Sequence, residues 1–547
     1  MRLIEFSTCI FMVMAVCFVR ADTELQGVWV TTSGSVDTRT PQSIVNSLVK
    51  PGMSDEEKAL SIFHWYRRVI YPHNYLAEDR REILRQVNSY GNTLCGSHAA
   101  NLSWLMREAG FKTRCVFISN GGHTFLDVWY EDAWHSLDPE TDFAVWSRGD
   151  KPHLINMDEL KEDPTLLDNA EAEGRARPWL FKAMKFPWAT RAQLVEFCDA
   201  HKCNKSDMAW SSGVLKGETL KEFFVHGVQT VKYTEDNATN GGHIRDANLM
   251  EISLKPNETL IRNWDNEGKG KYIFGQGYLG YPAHLLYGGR ADESDEIVFP
   301  FVEPYRKDNY GTPDLPVDRC YRYSGNGHLI WKPDMTANEL ISAPGVKTQN
   351  LIFDKTSGML RPEKANAIGL LTVPIKSSYA LACATIDILW LKQGGEGVAR
   401  LMVKLPKKNP VEIWKLAEQG SDIKAKVFYD KEINRMYDYE LIIEMSHPDD
   451  ANKIGLKNIS LDHTFVNNWL ALPYLVPGAN TLQVSLKNPE TLNKTKLFVK
   501  LEWDEGEQWA DSKVINMQIT KSPQIFDINV KKPKYPRMKS VALTAVP

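Results

Sequence analysis

At 547 residues the chain runs to several times the span of one hydrophobic core, which favours about three or four domains over one. Its composition, 43% hydrophobic and 24% charged, is that of ordinary globular protein and excludes both wholesale disorder and a collagen-like repeat. Basic and acidic residues nearly balance, 65 against 69 for a net charge of -4, so no global basic field exists to collect nucleic acid.

The first 21 residues have the form of a signal peptide: a single Arg2, an apolar run from Ile10 to Val19, and Val19-Arg20-Ala21 as a cleavage site before Asp22. This predicts a secreted or periplasmic protein that is cut near Ala21. The run is shorter than the ~20 apolar residues a membrane-spanning helix needs, and nothing comparable follows, so no membrane span is expected. Six cysteines then remain: Cys95, Cys115, Cys198, Cys203, Cys320 and Cys383. That is too few for a disulfide scaffold, although export permits disulfides, and Cys198 with Cys203 is the first candidate pair, Cys320 with Cys383 the second. A zinc site at Cys198 and Cys203 lacks ligands, since His201 alone does not complete a set of four, so no metal or cofactor is expected.

In SDEEKALSIFHWYRRVI, Ser54 and Glu57 have the spacing of a capping box ahead of an apolar helical face, and Tyr71-Pro72 ends the helix. The informative stretch is Gly91 to Phe143. Ala99, Leu102, Leu105, Met106 and Ala109 recur at helical spacing and Gly110 follows as a C-terminal cap, which predicts a helix over 96–109 with Cys95 at its start. There the unpaired amides and the positive end of the helix dipole favour a thiolate, and the same amides could hold an oxyanion.

After that helix, TRCVFIS reads as a strand, Gly121-Gly122 as a turn, and HTFLDVWY as a second strand with His123, Phe125, Asp127 and Trp129 on one face. Glu131-Asp132-Ala133 turns the chain into a third strand, WHSLD, where Trp134, Ser136 and Asp138 share a face. Folding this hairpin sets Asp138 opposite His123 or two residues diagonal from it, within reach for a carboxylate to orient an imidazole. A nucleophile, a base and an orienting group are what covalent acyl transfer requires. Cys115 reads as core, His135 as a surface or packing histidine on the other face, and Trp104, Trp129 and Trp134 as core aromatics, the alternative being that one of them lines the cleft.

Cys95 in LCGSHAANLSWLMREAGFKTR, His123 in GGHTFLDVWYED and Asp138 in WHSLDPE together resemble the three core motifs of the transglutaminase-like superfamily. The resemblance implies a papain-type α+β domain with Cys95 as nucleophile, His123 as general base and acid, and Asp138 as the residue that orients His123. His98 departs from the family pattern beside the nucleophile, and Gln86 and Asn92 are the candidates for an extra oxyanion donor. The expected chemistry is attack on an amide of a protein or peptide substrate through a thioester, resolved by water or by a second amine.

Beyond Leu215 the pattern becomes strand-like, with runs such as GVARLMVKL, YELIIEMS and TKLFVKLEW broken by Pro, Gly and Asn, which predicts antiparallel sandwiches. The expected fold class is therefore multidomain: an α+β transglutaminase-like N-terminal domain followed by all-β sandwich-like domains. The expected divisions are a leader at 1–21, a catalytic domain with its lead-in and extension at 22–210, a β-rich middle domain at 211–345 and a C-terminal β-sandwich region at 346–547. The alternative function is a non-catalytic scaffold whose β-domains bind cell-surface glycan or protein, because Leu475 to Leu486 resembles a loop-plus-strand of carbohydrate-associated sandwiches. Its other reading is a turn followed by an ordinary core strand.

Overall fold

The computed structural model describes residues 23–72, 82–93, 95–118, 123–139, 143–170, 173–176, 231–234, 250–264, 302–304, 321–323, 325–336 and 338–547. The leader at 1–21, the Cys198–Cys203 pair with His201, Cys320 and the domain division expected at 210–211 lie outside the described residues.

The chain opens with β1 (Leu25–Thr32), α1 (Pro41–Leu48) and α2 (Asp55–Val69). Both helices begin at reciprocal caps. In α2 the Ser54 hydroxyl accepts from the Glu57 N–H at 3.2 Å and the Glu57 carboxylate accepts from the Ser54 N–H at 2.9 Å, while Asp55, Glu56 and Glu57 place negative charge at the positive end of the dipole. The two-residue β2 (Tyr71–Pro72) follows, and after it a short α3 (Ile83–Arg85) runs into a π-helical turn, Gln86–Tyr90. Gly91 ends that turn in the left-handed conformation, φ 66°, with its N–H donating to the Gln86 carbonyl at 2.8 Å. Next, β3 (Asn92–Thr93) pairs in parallel with β2, Tyr71 opposite Asn92 and Pro72 opposite Thr93. Then α4 (Cys95–Glu108) begins at the cysteine itself, and Gly110, φ 93°, closes it.

Three strands follow, β4 (Lys112–Ile118), β5 (His123–Tyr130) and β6 (Ala133–Leu137), and after α5 (Met157–Glu162) the chain returns with β7 (Val231–Thr234). They form an antiparallel sheet in the order β6-β5-β4-β7. The β5–β6 hairpin turns on Glu131 and Asp132, both at positive φ (48° and 57°), the conformation whose twist suits a two-residue hairpin. This sheet is a wall between two cores. Leu102, Leu105 and Met106 of α4 pack with Leu126 and Val128 on one side, and Phe125, Val116 and Ile118 pack with Phe143, Val145 and Ile155 on the other.

Strands dominate the rest: β8 (Ile252–Leu254), β9 (Glu258–Asn263), β10 (Val302–Pro304), β11 (Tyr321–Tyr323), β12 (Gly327–Trp331) and a long series from Lys347 to Val546. Their sheets are antiparallel, and strands such as Gly369–Lys376 and Gly478–Ser485 alternate buried with more exposed residues, as packing of one face against a core demands. A ten-stranded sheet runs through β12, β9 and Arg537–Val546, and a five-stranded sheet is centred on Asp438–Ser446. A four-stranded sheet has the order Gln524–Val530, Gly478–Ser485, β1, β8, so the first strand of the chain is built into the C-terminal region. Within it, Leu475 to Leu486 forms a turn held by Asn480, whose side chain bonds Val476 and Gly478, followed by a strand in which Leu482 and Val484 are fully buried. Among the described residues no helix is long and apolar enough to cross a membrane.

Packing in the ten-stranded sheet is tight enough to test. A Cβ at Gly327 would lie 2.3 Å from Phe465 Cε2, and Phe465 is itself fully buried, stacked on Tyr379 at 4.7 Å. Gly327→Ala should therefore destabilise the protein by about 1–3 kcal/mol through overpacking and lower the midpoint of thermal unfolding; an unchanged melt would show that the ring can move aside.

Candidate active site

Cys95 is the first residue of α4, half-buried and carrying a free thiol. The N–H groups of that first turn have no intrahelical acceptor, so they face whatever approaches the sulfur. α4 packs against β5, which begins at His123. Polar contacts on the far half of the helix fix its lie on the sheet: Ser103 and Thr113 share a hydrogen bond of 2.8 Å, and Arg107 Nε donates to Thr113 Oγ1 at 3.1 Å.

The structure brings His123 and Asp138 together. His123 Nε2 lies 2.6 Å from Asp138 Oδ2, with His123 4% exposed and Asp138 fully buried. Leu126 stands opposite Leu137 in the hairpin, so Asp138 follows one step past the end of β6 and meets His123 diagonally. Two backbone hydrogen bonds with Phe143, 2.9 and 3.0 Å, hold Asp138 in place. The imidazole stacks on Phe125 with ring centres 5.7 Å apart. From the other side the buried Arg67 of α2 donates from Nε to the Pro139 carbonyl at 3.3 Å, a contact the sequence reading missed. Its signal was a charged residue on the buried side of α2, four positions after Phe63.

The oxyanion candidates fall in the segment that leads to Cys95. Gln86 opens the π-helical turn, is 1% exposed, and its Oε1 has no hydrogen-bond partner among the described residues. Asn92 lies in β3. His98, one turn along α4, is fully buried with its ring edge-on to Tyr66 at 5.6 Å, so it is part of the packing under the helix. Cys115 is buried in β4. His135 is buried too, stacked on Tyr130 at 3.8 Å with Nδ1 2.6 Å from the Leu154 carbonyl, and burial holds its pKa below the usual imidazole value.

Trp104, Trp129 and Trp134 are half-buried, which corrects their reading as core. Lys112 lies over the Trp129 ring at 5.9 Å and Arg114 over Trp134 at 4.5 Å, so these indoles cover charged side chains. Arg114 is also 3.6 Å from the Tyr233 ring of β7. It donates from Nε to Asp127 at 2.7 Å, and Asp127 accepts a second bond from the Ser136 hydroxyl at 2.6 Å. Asp127 has no exposed surface, and burial raises its pKa above the ordinary carboxyl value while the Arg114 charge opposes that rise.

Among the described residues no group of three or more His, Cys, Asp or Glu side chains is placed to hold a metal ion.

The Arg114–Asp127 pair makes a pH prediction. An acid whose folded-state pKa lies above its unfolded value loses stability as pH rises from the unfolded toward the folded value. Arg114→Met removes the largest influence opposing that shift. The variant should melt below wild type at pH 5 and further below it at pH 8; a gap that stays constant between those pH values would mean that Arg114 holds the site by packing alone.

Residues 42–139 match the family described as the transglutaminase-like superfamily. No curated protein matches the chain. Among solved structures the chain is similar to a glycosyl hydrolase family 2 member from Bacteroides cellulosilyticus, at 10% identity over 32% of this chain and 24% of that one, TM-score 0.14. It is similar also to the N-terminal CBM22-1-CBM22-2 tandem domain of Paenibacillus barcinonensis Xyn10C, at 11% identity over 37% of this chain and 84% of that one, TM-score 0.14. A third likeness is to the infectious bursal disease virus VP2 subviral particle, at 9% identity over 53% and 63%, TM-score 0.17. The chain thus spans about a quarter of the length of the first of these structures. The matched segment runs from α1 to the residue after Asp138 and includes Cys95, His123 and Asp138, so residues 42–139 are a transglutaminase-like segment, of a superfamily whose chemistry is cysteine-based acyl transfer or hydrolysis.

Proposed function

We propose that the protein is a secreted or periplasmic cysteine-nucleophile enzyme that cleaves or exchanges amide bonds in a protein or peptide through a thioester on Cys95. The observation that carries the reading is the buried contact of 2.6 Å between His123 Nε2 and Asp138 Oδ2, on the strand against which the Cys95 helix packs. With Nε2 turned to the carboxylate, proton exchange with the thiol runs through Nδ1. Asp138 stabilises the imidazolium that forms when the thiol gives up its proton.

In the first step the Cys95 sulfur attacks the amide carbonyl carbon, and the carbonyl oxygen gains negative charge opposite the free amides at the start of α4. The C–N bond then breaks, and the imidazolium donates its proton to the departing amine. The thioester is resolved by water, which His123 deprotonates as it attacks, and the thiol is regenerated with release of a carboxylic acid. Attack by a second amine in place of water would give a new amide instead. Hydrolysis is the favoured outcome here. The catalytic domain of this proposal occupies 22–210 after leader removal near Ala21, with β-rich units at 211–345 and 346–547.

The test combines labelling with turnover. Iodoacetamide should alkylate Cys95 at pH 6 about tenfold or more faster in wild type than in His123→Ala. Amide hydrolysis, screened with fluorogenic peptide amides, should vanish in Cys95→Ala and fall by roughly 100-fold or more in Asp138→Asn, which keeps the shape but disturbs the imidazole tautomer. Equal labelling of Cys95 in wild type and His123→Ala would sink the proposal.

A further inference from the structure

The segment that delivers Cys95 is held from outside its own domain. Asn468, 5% exposed and immediately ahead of the short 3-10 turn Trp469–Ala471, sends its side-chain amide to backbone carbonyls of α2 and of the π-helical turn that precedes Cys95. Its Nδ2 lies 2.8 Å from the Val69 oxygen and 2.8 Å from the Val87 oxygen. Its backbone N–H donates to the Asn88 oxygen at 2.8 Å, and its own Oδ1 accepts from the Leu470 N–H at 3.2 Å.

Val69 is the last residue of α2, and Val87 and Asn88 lie in the π-helical turn. Helix ends leave carbonyls without internal partners, and one asparagine here satisfies carbonyls on two helical segments at once. Those two segments lead into β2 and β3, the parallel pair whose register ends two residues before Cys95. Gly91 closes the approach, because a Cβ there would stand 2.9 Å from Asn468 Cγ. Two further contacts bind the same segment to the C-terminal region: the Ala380 N–H donates to Ser89 Oγ at 3.3 Å, and the Arg85 guanidinium sits over the Tyr437 ring at 3.8 Å.

We infer that Asn468 is a positioning residue for the nucleophile: by capping α2 and the π-helical turn together it sets the register of β2 on β3, and so the place of Cys95 relative to His123. The inference rests on the acyl-transfer reading above. Asn468→Asp keeps the Oδ1 cap but turns an oxygen toward two carbonyl oxygens, and Asn468→Ser removes the side-chain bridge without that repulsion. Asn480 is the control, a buried asparagine with bonds of 2.8, 2.8 and 2.9 Å confined to Val476 and Gly478.

The experiment compares full-length wild type, Asn468→Asp, Asn468→Ser, Asn480→Ser and His123→Ala, each well below its melting temperature. It reads the rate of Cys95 alkylation by iodoacetamide at pH 6 divided by that at pH 9, beside hydrogen exchange of amides 86–93. A change in thiol exposure alone moves both rates together and leaves the ratio unchanged, whereas loss of alignment with His123 lowers the ratio. The Asn468 variants should show a ratio about tenfold lower and faster exchange over 86–93, since small misplacements of reacting groups cost rates of that order or more; Asn480→Ser should keep the wild-type ratio even if it melts earlier. A folded Asn468→Ser with the wild-type ratio overturns the inference, as does an equal fall in Asn480→Ser. If wild type itself has the ratio of His123→Ala, it is the acyl-transfer reading that fails, and the positioning role falls with it.

Discussion

Of the eight residues of β5, seven are buried, so the strand has no solvent face along most of its length, and that constraint distributes the polar chemistry around it. Successive side chains of a strand point to opposite faces, so Leu126 and Val128 go to the core shared with α4 while His123, Phe125 and Asp127 go to the other. A buried imidazole and a buried carboxylate are costly unless each has a partner. The hairpin supplies both partners: Asp138 for His123, and Ser136 for Asp127, with Arg114 arriving from β4. A slip of one residue in register would move every one of these groups to the wrong side, so packing of the apolar face also enforces the polar pairings.

The two pairs on that face differ in what they can do. Asp127 is bonded to the Arg114 guanidinium, which is covered by Trp134 and Tyr233, so its environment is fixed. His123 faces a carboxylate at the end of the sheet, and an imidazole is the side chain whose charge changes most readily near neutral pH. One pair locks β7 and β4 to the hairpin; the other is the pair to which the proposed mechanism gives the proton transfers. In the proposed mechanism the start of α4 supplies the other partners of the second pair, because the thiol and the N-terminal amides of the helix come from one place.

How much of this was legible in the sequence follows the range of each interaction. The helix that begins at Cys95 and the β5–β6 hairpin are local, set by period 3.6, period 2, Gly110 and the Glu131-Asp132 turn, and their positions were read to within a residue. The fourth strand of the sheet was not visible, because Val231–Thr234 pairs with β4 across more than a hundred intervening residues and carries no turn signal linking them. Trp129 and Trp134 differ from the expectation for another reason: indoles are assumed to be core, and here each lays one face against a cation, Lys112 and Arg114 respectively. Asn468 offered no signal at all. Its partners Val69 and Val87 are 399 and 381 positions away, and an asparagine ahead of Trp469 looks only like a turn residue.

Those long separations also say something about how the site is assembled. The helix and hairpin gain their contacts from neighbours in the chain, but the lead-in to Cys95 owes its shape to carbonyl caps supplied from the far C-terminal region, and β1 is seated between Gly478–Ser485 and β8. Contacts of such high sequence separation repay their loop-closure entropy only once both ends are ordered. A chain lacking the C-terminal strands would therefore keep the hairpin that pairs His123 with Asp138 but lose both the seat of β1 and the clamp on the π-helical turn. The β-rich region is for this reason part of the fold of the N-terminal domain, whatever else its outer surfaces contact.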